Sequence, residues 1–105
     1  MEFIETPTFT KLVSELLTDE DYTALQFHLA RNPGVGRIIR GSGGLRKIRW
    51  AAQGRGKSGG VRVIYYWMAN DSIIWMFLVY PKSEKDNLTA KEVARLKILL
   101  EYMLQ

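Results

Sequence analysis

The chain has 105 residues and a formal net charge of +4, from 15 Lys and Arg against 11 Asp and Glu. This length suits a single hydrophobic core, so we predict one domain that spans residues 1–105. The sequence contains no cysteine, which excludes disulfide bonds and thiolate metal sites. It shows neither a signal-peptide pattern nor an apolar run of the roughly 18 residues that a membrane span needs. These features predict a soluble, cytoplasmic domain with no membrane partner.

The first third of the chain predicts one short strand and two helices. Apolar and acidic side chains alternate at residues 2–5, as in a strand. An apolar stripe with helical spacing then runs from Phe9 to Leu17, after a Thr-Pro pair that suits a helix start. Thr18 and the three acids after it predict the N-cap and first turn of a second helix. Asn32, followed by Pro and Gly, ends that helix.

The remainder predicts a sheet followed by one helix. Residues 34–44 are predicted to form a loop. Residues 69–72 carry a tight-turn signal between two strands that are apolar on both faces, which predicts a central hairpin. Thr89 and Glu92 form a capping box for the last helix. The three later strands are predicted at residues 45–51, 61–68 and 73–80. The order β-α-α-β-β-β-α predicts an α+β fold, with helices packed on an antiparallel β-sheet.

Charge is unevenly distributed along the chain. Between Tyr22 and Asn70 there is no Asp or Glu, whereas six acids precede this window and five follow it. A basic block without acids favours a positive surface that binds a polyanion. The cations of the window are Arg31, Arg37, Arg40, Arg46, Lys47, Arg49, Arg55, Lys57 and Arg62.

The window contains the string GKS at residues 56–58, which also ends the phosphate-binding loop of nucleotide-binding proteins. That loop requires a glycine five positions before the GKS glycine, and a helix after it. Here Ala51 occupies the first position, and a strand is predicted to follow. We therefore reject a nucleotide site and interpret residues 53–60 as a glycine-rich loop that carries Arg55 and Lys57 to an anionic ligand.

The cations next to this loop are predicted to form one cluster. Lys47 and Arg49 lie two residues apart on a strand, so they share a face. Arg62 begins the next strand. If the two strands pair, these three side chains come together with Arg55 and Lys57 at one edge of the sheet. Such crowding of like charges is unfavourable by itself and indicates an anionic ligand, and arginine forks match the oxygens of a phosphodiester.

The sequence offers few candidates for catalytic groups. His28 is the sole histidine and lies outside the cluster in sequence, so we interpret it as a helix-surface or partly buried residue. The basic window offers no acid as a general base, and no set of side chains has metal-ligand spacing, so we predict no metal or cofactor. Lysines with depressed pKa can transfer protons, and arginines can stabilise a charged transition state. Tyr80, Lys82 and Lys85, at the end of the last strand, are candidates to join the site.

Four segments together resemble the RelE-like toxins of bacterial toxin–antitoxin pairs, and the HigB branch most closely. They are GGLRKIR at 43–49, GRGKSGG at 54–60, RVIYY at 62–66 and YPKSEKDNLT at 80–89. The resemblance implies the microbial-ribonuclease-like fold that RelE and ParE toxins share. It implies cleavage of messenger RNA in the ribosomal A site, through attack of a ribose 2′-hydroxyl on the adjacent phosphate. It also implies a cognate antitoxin, which in the HigB branch is usually a helix-turn-helix protein.

The resemblance also assigns residues. The family's K-x-K pair falls on Lys47 and Arg49, and its strand arginine falls on Arg62. The founding toxins have a catalytic tyrosine where this chain has Asn87 and Leu88, so the acid–base role passes to Lys57, Lys82 or Tyr80. The predicted catalytic residues are thus Lys47, Arg49, Lys57, Arg62, Tyr80 and Lys82. The predicted RNA- or ribosome-binding residues are Arg40, Arg46, Arg55 and Lys85.

Two other functions stay open on sequence grounds. A non-enzymatic RNA-binding module would use the same cations without cleaving RNA. A gyrase inhibitor of the ParE type would share the fold, although a ribonuclease-like basic cluster is not what that branch depends on.

Overall fold

The computed structural model describes residues 1–51 and 60–105. Within this part of the chain the strands are β1 (Glu2–Glu5), β2 (Arg37–Ile38), β3 (Arg46–Trp50), β4 (Val61–Met68) and β5 (Ile73–Pro81). The helices are α1 (Pro7–Leu16), α2 (Asp19–Arg31) and α3 (Ala90–Met103), with a 3-10 turn at Ala69–Asp71. The α+β class is confirmed.

The five strands form one sheet in the order β1-β5-β4-β3-β2. β2, β3, β4 and β5 pair antiparallel in succession, but β1 runs parallel to β5. The predicted antiparallel arrangement therefore holds for four strands and needs one correction: β1 pairs parallel, so the sheet is mixed. The reason is topological. α1 and α2 connect β1 at one edge of the sheet to β2 at the opposite edge, so β1 pairs with β5 and not with the strand that follows it in sequence.

A second correction concerns the loop predicted at residues 34–44. It contains the short strand β2, whose Arg37 and Ile38 pair with Lys47 and Arg46 of β3. Ile38 is 55% exposed, while Ile39 packs into the core. A two-residue strand gives too short a pattern to be recognised by alternation, so only its pairing with β3 defines it.

The predicted β4–β5 hairpin is confirmed, and both strands are interior to the sheet. Ser72 closes the turn in the left-handed conformation, with φ of 52°. The register shifts at Ile64 and Tyr65, which pair with Leu78 and Met76 and leave Phe77 as an extra residue on β5. Such a bulge lets two consecutive residues of β5 face the same side of the sheet.

Each face of the sheet is covered by helices, so the hydrophobic core has two parts. On one face α1 and α2 contribute Phe9, Val13, Leu25 and Leu29 to a core that includes Tyr65. On the other face Leu100 of α3 packs against Ile64, Phe77 and Tyr80 of the sheet and against Leu45, which directly precedes β3. We call these two faces the α1/α2 side and the α3 side.

The predicted helix starts are confirmed. Thr6, Thr18 and Thr89 each cap a helix, with the side chain accepting from a backbone amide in the first turn. Thr89 and Glu92 form the reciprocal capping box. Within residues 1–51 and 60–105, no helix is both long and apolar enough to cross a membrane.

Candidate functional site

The strand register brings four predicted site residues onto the α3 side. Arg49 lies directly opposite Arg62, and Arg62 lies directly opposite Tyr80 on the next strand. Residues opposite each other in an antiparallel pair project to the same face. Lys47 precedes Arg49 by two residues and shares that face, while Ile48 and Trp50 pack into the α1/α2 side. The predicted pairing of the two strands, and the common face of Lys47 and Arg49, are confirmed.

Arg62 is the most buried of these cations, with 2% of its side chain exposed. Its Nε donates to Asp86 Oδ1 at 2.8 Å, which forms an ion pair. The Asp86 side chain is itself 45% exposed. The pair therefore has one partner under the surface and one at the surface.

Asp86 belongs to the segment that joins β5 to α3, residues 82–89, and this segment contacts two more site residues. Lys47 Nζ donates to Asn87 Oδ1 at 2.6 Å and to the Asp86 carbonyl oxygen at 3.4 Å. Tyr80 donates from its hydroxyl to the same carbonyl at 3.3 Å. Through Asp86 and Asn87, the 82–89 segment thus contacts Lys47, Arg62 and Tyr80 together.

Two groups of this cluster have shifted pKa values, Asp86 and Tyr80. The hydrogen bond from Arg62 holds the pKa of Asp86 below its ordinary value, and the nearby charges of Lys47 and Arg49 act in the same direction. Burial raises the pKa of Tyr80, although the charge of Arg62 opposes the shift. At neutral pH Asp86 is a carboxylate, and Tyr80 keeps its proton.

A cavity of about 570 Å³ lies beside this cluster. Lys47, Arg49, Asp86 and Asn87 line it together with Arg37 of β2. Arg37 faces Lys47 across the β2–β3 pair, so it adds a further cation to the wall. A cationic cavity with an exposed opening is suited to a phosphate group and the sugar next to it.

Three residues predicted to bind RNA or the ribosome lie elsewhere. Arg46 points to the opposite face from Lys47, and its Nη1 donates to the carbonyl oxygens of Gly34 and Gly36 at 3.0 and 2.8 Å. Lys85 forms an ion pair with Glu92, with its ammonium 5.5 Å from the centre of the Tyr80 ring. Arg40 lines a groove along α3. Their contacts with RNA stay predictions, and none of the three lines the cavity.

Two predicted residues, Arg55 and Lys57, lie outside the described residues. Lys82 is exposed directly after β5. Its amide donates to the Gly60 carbonyl at 3.1 Å, which places it next to the start of β4. After the GKS string the described residues resume at Gly60 and form a strand from Val61, as expected, where a nucleotide-binding loop would require a helix.

Sequence reasoning missed Asp86, Asn87 and Arg37. The hairpin offered a signal for the first two: if β4 pairs with β5, the chain after Tyr80 must leave the sheet beside Arg62. An acid in that exit segment is then a natural partner for a buried arginine. No comparable signal existed for Arg37, because β2 is too short to be recognised.

His28 is half-buried, and its ring centre lies 5.4 Å from that of Trp50, on the α1/α2 side. It is therefore on the opposite face from the basic cluster, which agrees with its interpretation as a structural residue. Among residues 1–51 and 60–105, no three His, Asp or Glu side chains come close enough to hold a metal ion.

Two comparisons with known proteins bear on this arrangement. The model of the family described as the RelE toxin of the RelE/RelB toxin–antitoxin system matches residues 37–105, which include every residue of the basic cluster. Among solved structures, a mutant of the E. coli toxin RelE in the free state is similar, with a TM-score of 0.60 and 15% sequence identity. That match covers 92% of this chain and 93% of the other, and it supports the fold. The chain belongs to the RelE family of toxins from toxin–antitoxin systems.

Proposed function

We propose that this toxin, of the HigB branch, is a ribosome-dependent endoribonuclease that cleaves messenger RNA in the A site without a metal ion. The observation that carries the proposal is the cross-strand placement of Arg49 opposite Arg62, with Lys47 on the same face. Like charges opposite each other on a sheet are destabilising. One carboxylate, that of Asp86, lies among these three cations, so the cluster keeps an excess of positive charge. A phosphodiester supplies further negative charge and matches the forked donors of arginine.

The reaction requires no group beyond the RNA itself and protein side chains. The ribose 2′-oxygen attacks the adjacent phosphorus, the P–O5′ bond breaks, and a 2′,3′-cyclic phosphate and a free 5′-hydroxyl result. Negative charge accumulates on the phosphate oxygens in the transition state, where Arg62, Arg49 and Lys47 stabilise it. The 2′-hydroxyl loses a proton, and the departing 5′-oxygen gains one.

Tyr80 suits the second of these proton transfers. A tyrosine hydroxyl keeps its proton at neutral pH, and burial of Tyr80 raises its pKa further, so it is a donor to the leaving oxygen and not a base. The base for the 2′-hydroxyl is then Lys57 or Lys82. Lys82 stands exposed at the end of the strand that carries Tyr80.

Toxins of this family act within a toxin–antitoxin pair. We propose that the antitoxin of this chain is a small helix-turn-helix protein that covers or distorts the basic cavity. The proposal is tested by the neighbouring reading frame and by co-purification of its product with this chain. An abutting gene whose product neither binds the toxin nor restores growth would contradict it.

The substitution Arg62→Ala tests the catalytic proposal. We expect single-turnover cleavage on programmed ribosomes to fall by about 10²–10³-fold, as when a preorganised donor to a transition state is removed. Arg95→Ala, the same change at an exposed position on α3, serves as the matched control and keeps full activity. Because Arg62 is buried, circular dichroism must show that the variant is folded. Arg49→Ala, at an exposed position, provides a second test.

Mapping of 5′ ends after induction separates the alternatives. Codon-phased cuts in cellular messages support the endoribonuclease. Intact messages with a DNA-damage response would instead identify a gyrase inhibitor. Intact messages together with RNA binding that weakens steeply with salt would identify a binding module. A folded Arg62→Ala variant that cleaves at the wild-type rate would contradict the role given to that arginine.

A further inference from the structure

Arg62 is inaccessible to RNA in the free chain. Only 2% of its side chain is exposed, and the Asp86 carboxylate lies against its Nε at 2.8 Å. A guanidinium stabilises a phosphate most strongly through direct, charge-assisted hydrogen bonds. For Arg62 to act on RNA, a neighbouring group must therefore give way.

Asp86 is the partner that can leave. Its side chain is 45% exposed, so solvent and ligands reach it from outside, while Arg62 remains anchored in β4. Carboxylate and phosphate oxygens accept hydrogen bonds from a guanidinium in the same way. The carboxylate thus fills the position that a substrate phosphate would need.

We propose that Asp86 is the specificity-determining residue that restricts this toxin to ribosome-held messenger RNA, because its carboxylate occupies the phosphate-binding edge of Arg62 until the 82–89 segment is displaced. The inference rests on the proposed function and concerns the same site. The restriction is a competition between an internal carboxylate and an external phosphate for one arginine.

Because of its other contacts, displacement of the 82–89 segment changes the surroundings of several site residues at the same time. Asn87 holds Lys47 at 2.6 Å, and the Asp86 carbonyl accepts from both Lys47 and Tyr80. Withdrawal of residues 86 and 87 therefore breaks their contacts with three of the proposed site residues at once, while Arg62 keeps the bond from its Nη1 to the Val61 carbonyl oxygen. The end of the segment stays attached to α3 through the capping box of Thr89 and Glu92.

Free RNA and ribosome-bound RNA differ in what they bring to this competition. A short free RNA offers only its own phosphates, while Asp86 is held beside Arg62 by the chain at high effective concentration. The ribosome adds its own contacts with the basic surface of the toxin, and these favour the displaced state of the segment. A ligand shifts such an equilibrium only by its differential affinity for the two states.

The experiment compares RNA binding by the wild type, Asp86→Asn and Glu84→Gln. Glu84→Gln removes the same charge from an exposed position two residues away, and so controls for the change in net charge. The probe is a short single-stranded RNA with 2′-O-methyl riboses, which binds but cannot be cleaved, followed by fluorescence anisotropy. Because a neutral amide competes less well than a carboxylate for a guanidinium, Asp86→Asn should bind about tenfold more tightly than Glu84→Gln. Equal affinities for the two variants would overturn the proposal.

Cleavage supplies the second readout. We expect Asp86→Asn to retain cleavage on programmed ribosomes and to gain cleavage of free, unmodified RNA. If Asp86→Asn instead loses ribosomal cleavage with no gain in RNA affinity, Asp86 is a general base and the proposal is wrong. If the wild type does not cleave on ribosomes but the affinity difference persists, the endoribonuclease proposal fails while the competition stands.

A second variant keeps the test valid if Asp86→Asn does not fold. Asn87→Ala removes the side chain that holds Lys47 but leaves the Asp86 charge in place. It should also raise RNA affinity, by a smaller factor, since only one attachment of the segment is lost. An unchanged affinity for this folded variant would count against the proposal.

Discussion

The hydroxyl of Tyr65 provides the most quantitative test of how the cavity wall is built. This side chain is fully buried on the α1/α2 side. Its oxygen accepts from the Gly36 amide at 2.9 Å and donates to the Pro33 carbonyl at 2.7 Å. The two bonds hold the chain just before β2, which carries Arg37 to the cavity. Tyr65→Phe removes both bonds and changes nothing else in shape.

The expected loss follows from these two contacts. The Gly36 amide is buried, so leaving it without a partner costs about 1–3 kcal/mol. The bond to Pro33 contributes about 1 kcal/mol more. We therefore expect the free energy of unfolding to fall by about 2–4 kcal/mol, which for a domain of this size lowers the melting temperature by roughly 10 °C or more.

The measurement is urea denaturation followed by circular dichroism, with the free energy extrapolated to water. Tyr66→Phe makes the same change at the next residue, which is half-buried on the α3 side, and should shift the free energy by less than about 0.5 kcal/mol. If Tyr65→Phe costs less than about 1 kcal/mol, the hydroxyl does not hold the β2 segment as described. The effect of Tyr65→Phe on RNA cleavage should be indirect, because the Tyr65 hydroxyl holds the segment before Arg37, and Arg37 lines the cavity.

Two further predictions concern the edges of the site. Gly60 has φ of 70°, and a Cβ there would lie 2.1 Å from the Trp50 carbonyl oxygen. Gly60→Ala should therefore lower the urea midpoint of unfolding much more than Gly41→Ala does. At Gly41 φ is also positive, but no atom lies within 4 Å of an added Cβ, so equal midpoints for the two variants would refute the clash. Acid should weaken the Arg62–Asp86 pair, because the pKa of Asp86 is lower in the folded state than in the unfolded state. The stability that this pair contributes is therefore present above about pH 4 and is lost as pH falls through the folded-state pKa. Urea midpoints measured below about pH 4 should thus converge for the wild type and Asp86→Asn, and a constant difference down to about pH 2 would contradict the assignment.

Local patterns in the sequence determined much of this protein. The three threonine caps and the capping box depend on residues only three positions apart, and so they could be read directly. The alternation of Lys47 and Arg49 with Ile48 and Trp50 likewise placed two cations on one face. The resemblance to RelE-like toxins rested on short motifs and is confirmed by the family match.

Tertiary structure alone decided the features that depend on register and on distant pairing. β1 contacts β5 across some seventy residues, so no local pattern could show that the two strands are parallel. Alternation in the sequence separates Arg46 from Lys47, but only the fold places the Gly34 and Gly36 carbonyls beside Arg46 and the cavity beside Lys47. Asp86 lies outside the acid-free window, yet the β4–β5 register brings the segment that follows Tyr80 onto Arg62. The sequence thus predicted a cluster of cations on one face of the sheet, and the fold determined that Asp86 of the same chain pairs with the most buried of them.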